Sequence, residues 1–393
     1  MTPRLIALCF GNFMIATGTF IVPGMLPALA EGLNVSMPVA GQLVTVFAVT
    51  IGVTAPVLSG LTSRHDRRLL LVGTMLLFFA GHLASALIST HALMMVVRAV
   101  TSISAGLYVA QAASTAALLV PAENRGRAMA FVFLGWSIAA VFGLPIGSYI
   151  GATLGWRTGF GIVAAGCLIS ALWLWFVLPS GLRVTPIDRA MWGKLFRHPA
   201  LLPVACVTIF ATAGQFVIFP FFVAAARALV EATPLMVSLL LGAYGVFGLV
   251  GNLFSGRLCD RFGAPRIVML MLGFMLAGQL IWTGTQDAFL VMALSLGVVG
   301  IGSFSANSSQ QVRLAGLAPE LASVSIAFNS SAVYIGQAVG TSVASLILAH
   351  GGSSNGIGSG VYALLGWGAA ALTAAGMAMS WFASSRSRAH AAG

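Results

Sequence analysis

One short charged stretch interrupts the apolar second half of the chain: Gly256-Arg257-Leu258-Cys259-Asp260-Arg261-Phe262-Gly263-Ala264-Pro265-Arg266. A degraded counterpart, Gly60-Leu61-Thr62-Ser63-Arg64-His65-Asp66-Arg67-Arg68, occurs about half a chain earlier. A long apolar segment lies on each side of both stretches. Two similar charged hinges at matching points of two similar halves indicate an internal duplication.

The composition predicts that most of the chain lies in lipid. Of its 393 residues, 59% are hydrophobic and only 7% are charged, whereas an average soluble protein has about 25% charged residues. So few charges cannot cover a globular surface in water, which excludes a soluble fold. The 46 glycines are typical of closely packed transmembrane helices.

Twelve segments reach the length of about 20 mostly apolar residues that a helix needs to cross a bilayer. These predicted spans cover residues 5–30, 38–60, 69–89, 92–119, 128–150, 158–179, 201–226, 235–256, 266–285, 288–312, 322–349 and 361–383. The first apolar run is too long for the core of a signal peptide, so we expect it to be retained. The predicted fold class is an all-α membrane protein with twelve transmembrane helices.

Basic residues lie almost entirely on one side of the predicted spans. All but three of the 19 fall in loops on the side of the chain termini, the exceptions being Arg98, Arg157 and Arg227. Because cytoplasmic loops carry an excess of Lys and Arg, we expect both termini in the cytoplasm and the protein in a bacterial inner membrane. This placement also accounts for the net charge of +11 without a nucleic-acid partner.

Three correspondences indicate that the halves are repeats. Gly60 matches Gly256 at an offset of 196, Glu123 matches Glu320 at 197, and the pair Gly143 and Gly147 matches Gly336 and Gly340 at 193. They predict two pseudo-symmetric six-helix bundles in the same orientation, related by an axis along the membrane normal. We expect the bundles at residues 1–180 and 201–393, joined by a cytoplasmic linker at 181–200.

The linker contains an apolar stripe. Ile187, Met191 and Leu195 recur every four residues, while Lys194 and Arg197 lie off that stripe. This spacing predicts an amphipathic helix on the inner leaflet of the membrane. A solvated linker is the alternative.

These motifs resemble those of the major facilitator superfamily, and within it the twelve-span drug:proton antiporter group, over essentially the whole chain. Gly256–Arg266 is similar to the family's loop motif, and Arg98 is similar to its fourth-helix arginine. Gly143-Leu144-Pro145-Ile146-Gly147 is similar to the fifth-helix motif of exporters. Two further stretches resemble this group: Gly155-Trp156-Arg157 and Pro23-Gly24-Met25-Leu26-Pro27. The resemblance implies a carrier that exports drugs, sugars or nucleosides by alternating access and proton antiport.

The sequence departs from the family's pattern at two points. The position that corresponds to Asp260 in the first hinge is Arg64, and Asp66 falls two residues late. The first span reads Ala16-Thr17-Gly18-Thr19-Phe20 where many proton-coupled relatives carry an acidic residue. The resemblance implies that the charged hinge acts as a latch that holds one conformer. Because of these departures, the residues support such a latch better in the second half than in the first.

Six residues are candidates for gating. In the second hinge, Gly256 and Gly263 permit a tight turn, and we expect Asp260 to cap the next helix or to pair with a neighbouring arginine. Such a latch would favour one conformer, whereas a solvated turn that only marks topology is the alternative. The six are Asp260, Arg261, Arg64, Asp66, Gly143 and Pro145.

Proton coupling has weak support in the residues themselves. Each of the eight acidic residues falls in a loop or at the end of a span, whereas proton antiport normally needs a group that titrates within the cavity. The remaining candidates are Glu31, at the outer end of span 1, and His82 in span 3. A lone histidine in a span is more often structural, so facilitated diffusion stays a close alternative to antiport.

Polar and aromatic residues inside the spans outline a candidate substrate cavity. Arg98 lies inside a span, where an isolated charge costs about 2.5–3.5 kcal/mol, so we expect it to face a cavity rather than to snorkel. Buried amides need partners in lipid, so we expect the others to face each other or water. Helix–helix hydrogen bonding is an equally good interpretation of each. The set also comprises Asn12, Thr17, Tyr108, Gln111, Trp136, Gln215, Phe219, Tyr244, Asn307, Gln310, Gln311, Asn329 and Tyr334.

Together these residues predict a neutral site with aromatic walls, suited to an uncharged or weakly cationic organic molecule. No Gly-x4-Gly-Lys-Ser/Thr loop for ATP occurs, and the four cysteines lack metal-ligand spacing. We therefore expect no catalytic activity, cofactor or metal. The expected partners of the monomer are the lipid bilayer, a small-molecule substrate and protons, with a uniporter or a non-transporting receptor as alternatives.

Overall fold

Among the residues that the structure describes, twelve helices are long and apolar enough to cross a membrane, which confirms the predicted fold class. The structure, a computed structural model, describes residues 2–62, 65–183, 189–284, 288–351 and 358–391, and no strand occurs in these ranges. The spans are, in chain order, span 1 (Pro3–Gly24 and Leu26–Gly32), 2 (Met37–Leu61), 3 (Arg67–Leu87), 4 (His91–Leu118), 5 (Arg125–Ile138, Ala139–Gly143 and Leu144–Thr153), 6 (Trp156–Val177), 7 (Leu201–Ile218, Phe219–Phe221 and Phe222–Val230), 8 (Pro234–Phe262), 9 (Ala264–Gly284), 10 (Phe289–Leu317), 11 (Ala322–Gly351) and 12 (Ser359–Ala391).

Spans 1–6 form an N-terminal bundle and spans 7–12 a C-terminal bundle. The bundles meet where span 2 packs on span 11 and where span 5 packs on span 8. An even number of crossings places both chain ends at the same face of the protein, which we call the terminal face; the other is the opposite face.

Proline residues explain why three spans are irregular. Span 1 is interrupted after Pro23, span 5 has a π-helical turn just before Pro145, and span 7 has a 3₁₀ turn around Pro220. Proline lacks an N–H group and its ring clashes with the carbonyl group four residues earlier. The irregular turns of spans 5 and 7 each contact a helix of the other bundle, so the breaks lie at the junction of the bundles.

Most spans of the two halves correspond at an offset of 197 or 198, the latter relating span 4, which begins at His91, to span 10, which begins at Phe289. Spans 2, 3 and 5 begin at Met37, Arg67 and Arg125, and spans 8, 9 and 11 begin 197 residues later, at Pro234, Ala264 and Ala322. The offset of 193 expected from the glycine pairs is wrong, because Gly143 corresponds to Gly340. Glycines that recur every four residues can be matched one helical turn out of register.

The charged stretch between spans 8 and 9 is mostly helical. Span 8 continues to Phe262 and span 9 begins at Ala264, so only Gly263 lies between them. Its φ of 83° is a conformation that glycine adopts without steric cost. Gly256, expected to share in the turn, lies within the helix instead.

The predicted linker helix is present at Arg189–Arg197, but its apolar side packs on protein rather than on lipid. Leu195 is fully buried in a cluster with Leu201, Leu314 and Val324 of the C-terminal bundle. Lys194 and Arg197 are exposed, as the pattern predicts. Ile187 lies outside the described residues.

Candidate functional site

Five of the aromatic side chains near the junction of the two bundles form a continuous row of ring contacts. Phe20 of span 1 lies 5.6 Å from Trp136 of span 5 and 6.3 Å from Phe219 of span 7, between ring centroids. Phe219 lies 5.2 Å from Tyr244, which lies 5.6 Å from Phe304. We call these five residues the central aromatic cluster. It brings together Trp136, Phe219 and Tyr244 as predicted, and adds two phenylalanines that sequence reasoning missed.

Polar groups border the cluster on the side of the C-terminal bundle. The Gln215 amide donates to the Tyr244 hydroxyl at 2.6 Å, and that hydroxyl lies 3.3 Å from the Ser303 hydroxyl. Gln215 is only partly buried, so part of its carboxamide remains open to a ligand. The arrangement offers amide and hydroxyl groups beside aromatic rings, and none of these groups carries a charge.

The bundles pack closely towards the opposite face. Ser238 of span 8 donates to the carbonyl oxygen of Pro145 at 3.0 Å. Gly245 packs directly against the backbone of Ala140, with no room for a side chain. Gly143 packs on Thr17 of span 1, so it holds span 5 in place within its own bundle. Pro145 thus lies at the contact between the bundles, and its gating role stays a prediction.

Glu31 and Arg227 line one cavity of about 680 Å³ at the opposite face. Glu31 belongs to the last turn of span 1, and Arg227 to the last turn of span 7. The two bundles therefore present opposite charges to the same space. Glu31 is exposed there, at the end of its span.

Arg98 is buried in the N-terminal bundle, with 1% of its surface exposed. Its guanidinium lies 4.2 Å from the ring centroid of Phe47 in span 2. Its Nε and Nη1 atoms have no hydrogen-bond partner among the described residues. The side chain stacks on a ring and does not snorkel. That Arg98 faces a substrate cavity stays a prediction.

His82 is fully buried between spans 1, 3 and 6. Its Nδ1 lies 2.9 Å from the carbonyl oxygen of Phe78, one turn earlier in its own helix. The ring packs against Phe78 and Phe160 and against the backbone at Gly18. Its Nε2 atom finds no partner in the described part of the chain.

Four predicted substrate residues of the N-terminal bundle hydrogen-bond to protein instead. Asn12 donates to the carbonyl oxygen of Val132 at 3.0 Å, and Tyr108 to that of Leu8 at 3.4 Å. Thr17 bonds to its own helix, and Gln111 accepts from Arg67. The contacts of Asn12, Tyr108 and Gln111 favour the interpretation that these three residues join helices.

The amides of spans 10 and 11 face neighbouring helices, as predicted. Asn329 donates to Asn307 at 3.2 Å and accepts from Thr208 of span 7 at 2.6 Å. Gln310 donates to the carbonyl oxygen of Val204. Gln311 and Tyr334 are partly buried beside them. This network ties spans 7, 10 and 11 together.

The acidic residue that caps a helix lies in the first charged hinge, at Asp66, and not in the second hinge at Asp260 as expected. Asp260 lies in the last turn of span 8, where it caps no helix and its charge is unfavourable for the helix dipole. The predicted cap by Asp260 is therefore wrong, and Arg261 next to it is exposed over Phe262. Asp66 caps span 3 instead, because it directly precedes the first helical residue. Arg64 lies outside the described residues.

Asp66 also holds the start of the linker. Its carboxylate accepts from the N–H groups of Arg68 at 2.8 Å and Leu69 at 3.3 Å, and from that of Gly181. Burial raises the pKa of Asp66, but these N–H groups outweigh it and hold the pKa below its ordinary value. Asp66 thus joins the end of span 6 to span 3.

Arg313 and Gln279 are among the buried polar residues that sequence reasoning missed. Arg313 donates to Ser380 and Ser384 and ties span 10 to span 12. Gln279 of span 9 is fully buried. A search for amides inside apolar runs, as applied to the other spans, would have found it.

Two six-helix bundles that meet at the central aromatic cluster have the architecture of a membrane carrier. The model of the Major Facilitator Superfamily matches residues 8–341 and 204–392, and the chain belongs to this family. It is 30% identical to the inner membrane transport protein YdhP of Escherichia coli K12 over 351 residues, covering 88% of this chain and 89% of that protein.

Two solved structures share the fold. A bacterial homologue of the human lysosomal transporter Spinster, in an inward-facing conformation, has a TM-score of 0.76 at 14% identity and covers 97% of this chain and 96% of its own. The nucleoside transporter NupG has a TM-score of 0.76 at 15% identity, covering 96% of this chain and 98% of its own. These two structures show the fold, while membership of the Major Facilitator Superfamily makes the chain a transporter and not an enzyme.

Proposed function

We propose that this protein carries a small organic molecule across the membrane by alternating access. The supporting observation is the central aromatic cluster, whose rings come from both bundles at the plane where the bundles meet. A ligand held by both bundles gains different contacts when they rock. Such differential binding is what lets a ligand shift conformers.

The transported molecule is proposed to be uncharged or weakly cationic, such as a drug-like compound, a sugar or a nucleoside. Trp136, Phe219 and Tyr244 provide aromatic faces, and Gln215 provides an amide. A binding site of this kind selects its ligand by stacking and by a few placed hydrogen bonds. Among the predicted site residues that the structure describes, Arg98 is the one with a buried charge.

We propose that the terminal face is cytoplasmic and that the membrane is a bacterial inner membrane. The basic loops at this face support the orientation. The close contact at the opposite face then corresponds to a conformer that is closed to the outside. Residues 1–180 and 201–393 would move as two domains, with 181–200 as their linker.

Export by proton antiport is the proposed mechanism, with His82 and Glu31 as candidate coupling residues. A facilitated-diffusion uniporter is the second candidate. It is favoured by the placement of the described acids, since each lies near the end of a helix or in a loop. We propose that the carrier acts as a monomer.

Flux through proteoliposomes tests these proposals. A thermal-shift screen of the purified protein against drugs, sugars and nucleosides identifies a ligand, because binding stabilises the folded state. Uptake of that ligand is then measured with and without a pH gradient. Alternating access predicts saturable flux, antiport predicts that the gradient drives accumulation, and a gradient without effect leaves the uniporter. Binding without any flux would indicate a receptor and refute transport.

A further inference from the structure

A small cavity of about 10 Å³ lies inside the C-terminal bundle between spans 7, 8, 9 and 10. Its wall includes Gln215, Tyr244, Gln279, Trp282 and Ser295. Gln279 has 0% exposure, and neither its Nε2 nor its Oε1 atom has a hydrogen-bond partner among the described residues. A buried amide without hydrogen-bond partners costs free energy in a membrane protein. A polar molecule in the cavity would remove that cost by hydrogen bonding to Gln279.

The internal repeat explains why the space exists. In the N-terminal bundle, the guanidinium of Arg98 fills the corresponding place, against Phe47. Leu296, which also lines the cavity, stands at the position equivalent to Arg98, and its shorter side chain leaves that place open in the C-terminal bundle. Tyr244 and Gln279 correspond to Phe47 and His82 at the offset of 197, and Leu296 corresponds to Arg98 at the offset of 198 that relates spans 4 and 10.

The size and the chemistry of the cavity fit one water molecule. A bound water needs a cavity of at least about 10–15 Å³ and two to four polar partners. Gln279 offers two donors and an acceptor. The Ser295 hydroxyl donates to the carbonyl oxygen of Gly278 at 2.8 Å, so its lone pairs remain available. The wall carries no charged side chain, which disfavours an ion.

We propose that this cavity binds one ordered water molecule, hydrogen-bonded to the Gln279 carboxamide, and that this water connects span 9 to the Gln215–Tyr244 pair. Gln279 is then a positioning residue: it acts on the central site through the water. The role of Gln215 and Tyr244 in substrate binding rests on the proposed function. The water site itself does not, and its test needs no substrate.

Hydroxyl-radical footprinting by X-ray irradiation tests the site, because radicals form from bound water and oxidise adjacent rings. Trp282 lines the cavity with 3% exposure, and Trp156, outside it, has 5% exposure and serves as the reference ring. We expect Trp282 to be oxidised well above Trp156. Gln279→Met should lower this ratio several-fold, whereas Gln337→Met, at a buried amide outside the cavity wall, should leave it unchanged.

A second variant covers the case in which Gln279→Met fails to fold. Gln279→His introduces the residue of the equivalent position and keeps a donor and an acceptor, so the labelling of Trp282 should persist. The proposal is overturned if Trp282 reacts no more than Trp156 in the native protein. It is equally overturned if Gln279→Met raises the melting temperature without changing the labelling, because the amide would then be unpartnered in a dry cavity.

Discussion

Gly245→Ala should destabilise the conformer that is closed at the opposite face. A Cβ atom at position 245 would overlap the carbonyl group and the Cα region of the span 5 turn, at Ala140 and Val141. These are backbone atoms of the other bundle and cannot rotate away. Separation of the bundles relieves the overlap, so the substitution should shift conformers rather than unfold the protein.

The size of the effect follows from packing. Overpacking a close contact costs about 1–3 kcal/mol, and a difference of that size between two conformers changes their ratio by roughly 5–150-fold. The matched control is Gly242→Ala, one turn earlier in the same helix. There, a Cβ atom would lie 3.7 Å from Pro145, an ordinary contact. In both variants, alanine favours the helix by about 1 kcal/mol over glycine.

Electron–electron double resonance measures the shift. Spin labels at Ser36→Cys and Ala228→Cys, both exposed at the opposite-face cavity, report the separation of the bundles. The four native cysteines, all unpaired in the structure, are first replaced. Gly245→Ala should add a population at longer distance, and Gly242→Ala should not. Identical distance distributions for the two variants would refute the account of this contact.

Three further variants test the network around the site. Asp66→Ala should destabilise the protein by about 0.5–2 kcal/mol at neutral pH, since it removes a helix cap. The pKa of Asp66 is lower in the folded protein than in the unfolded chain, where it is about 3.9. The carboxylate therefore stabilises the fold fully above the unfolded pKa, and this stabilisation is lost as the pH falls through the folded pKa. The melting temperatures of the variant and the native protein should thus converge in acid. Asn329→Leu should lower the free energy of unfolding by about 1–3 kcal/mol for each partner left unpaired, at Thr208 and Asn307. Its control, Ser330→Ala at the exposed neighbouring position, should change that free energy by less than about 0.5 kcal/mol. Tyr244→Phe should weaken ligand binding by about 0.5–1.5 kcal/mol, because the Gln215 amide loses the hydroxyl that accepts its hydrogen bond. The control Tyr149→Phe changes an exposed tyrosine of span 5 and should leave the affinity measured by ligand titration unchanged.

The number and order of the spans follow from the sequence, because apolar length and charge placement act locally. The detail at the hinge does not. Asp260 fits a loop motif in sequence, yet span 8 continues past it to Phe262, since a charged residue at a helix end is exposed to water and costs the helix little. Asp66 lies two residues after the position expected from the motif, and it caps span 3 because that span begins directly after it.

Only part of the site could be predicted from residue type. Trp136, Phe219 and Tyr244 are brought together, but Phe20 and Phe304 join them through the packing of spans that are distant in sequence. An amide in a span shows that a partner is needed, and not which one. Asn12 finds a carbonyl oxygen in span 5, and Asn329 finds side chains in spans 7 and 10.

The most direct measurement is the accessibility of the central site from each side of the membrane. A single cysteine in place of Gln215, in a protein without its four native cysteines, is labelled in oriented proteoliposomes with a membrane-impermeant maleimide. The reagent is added to one side at a time, with and without the ligand found by thermal shift. Alternating access predicts labelling from either side and protection by the ligand from both. Labelling confined to one side in all conditions would contradict the account.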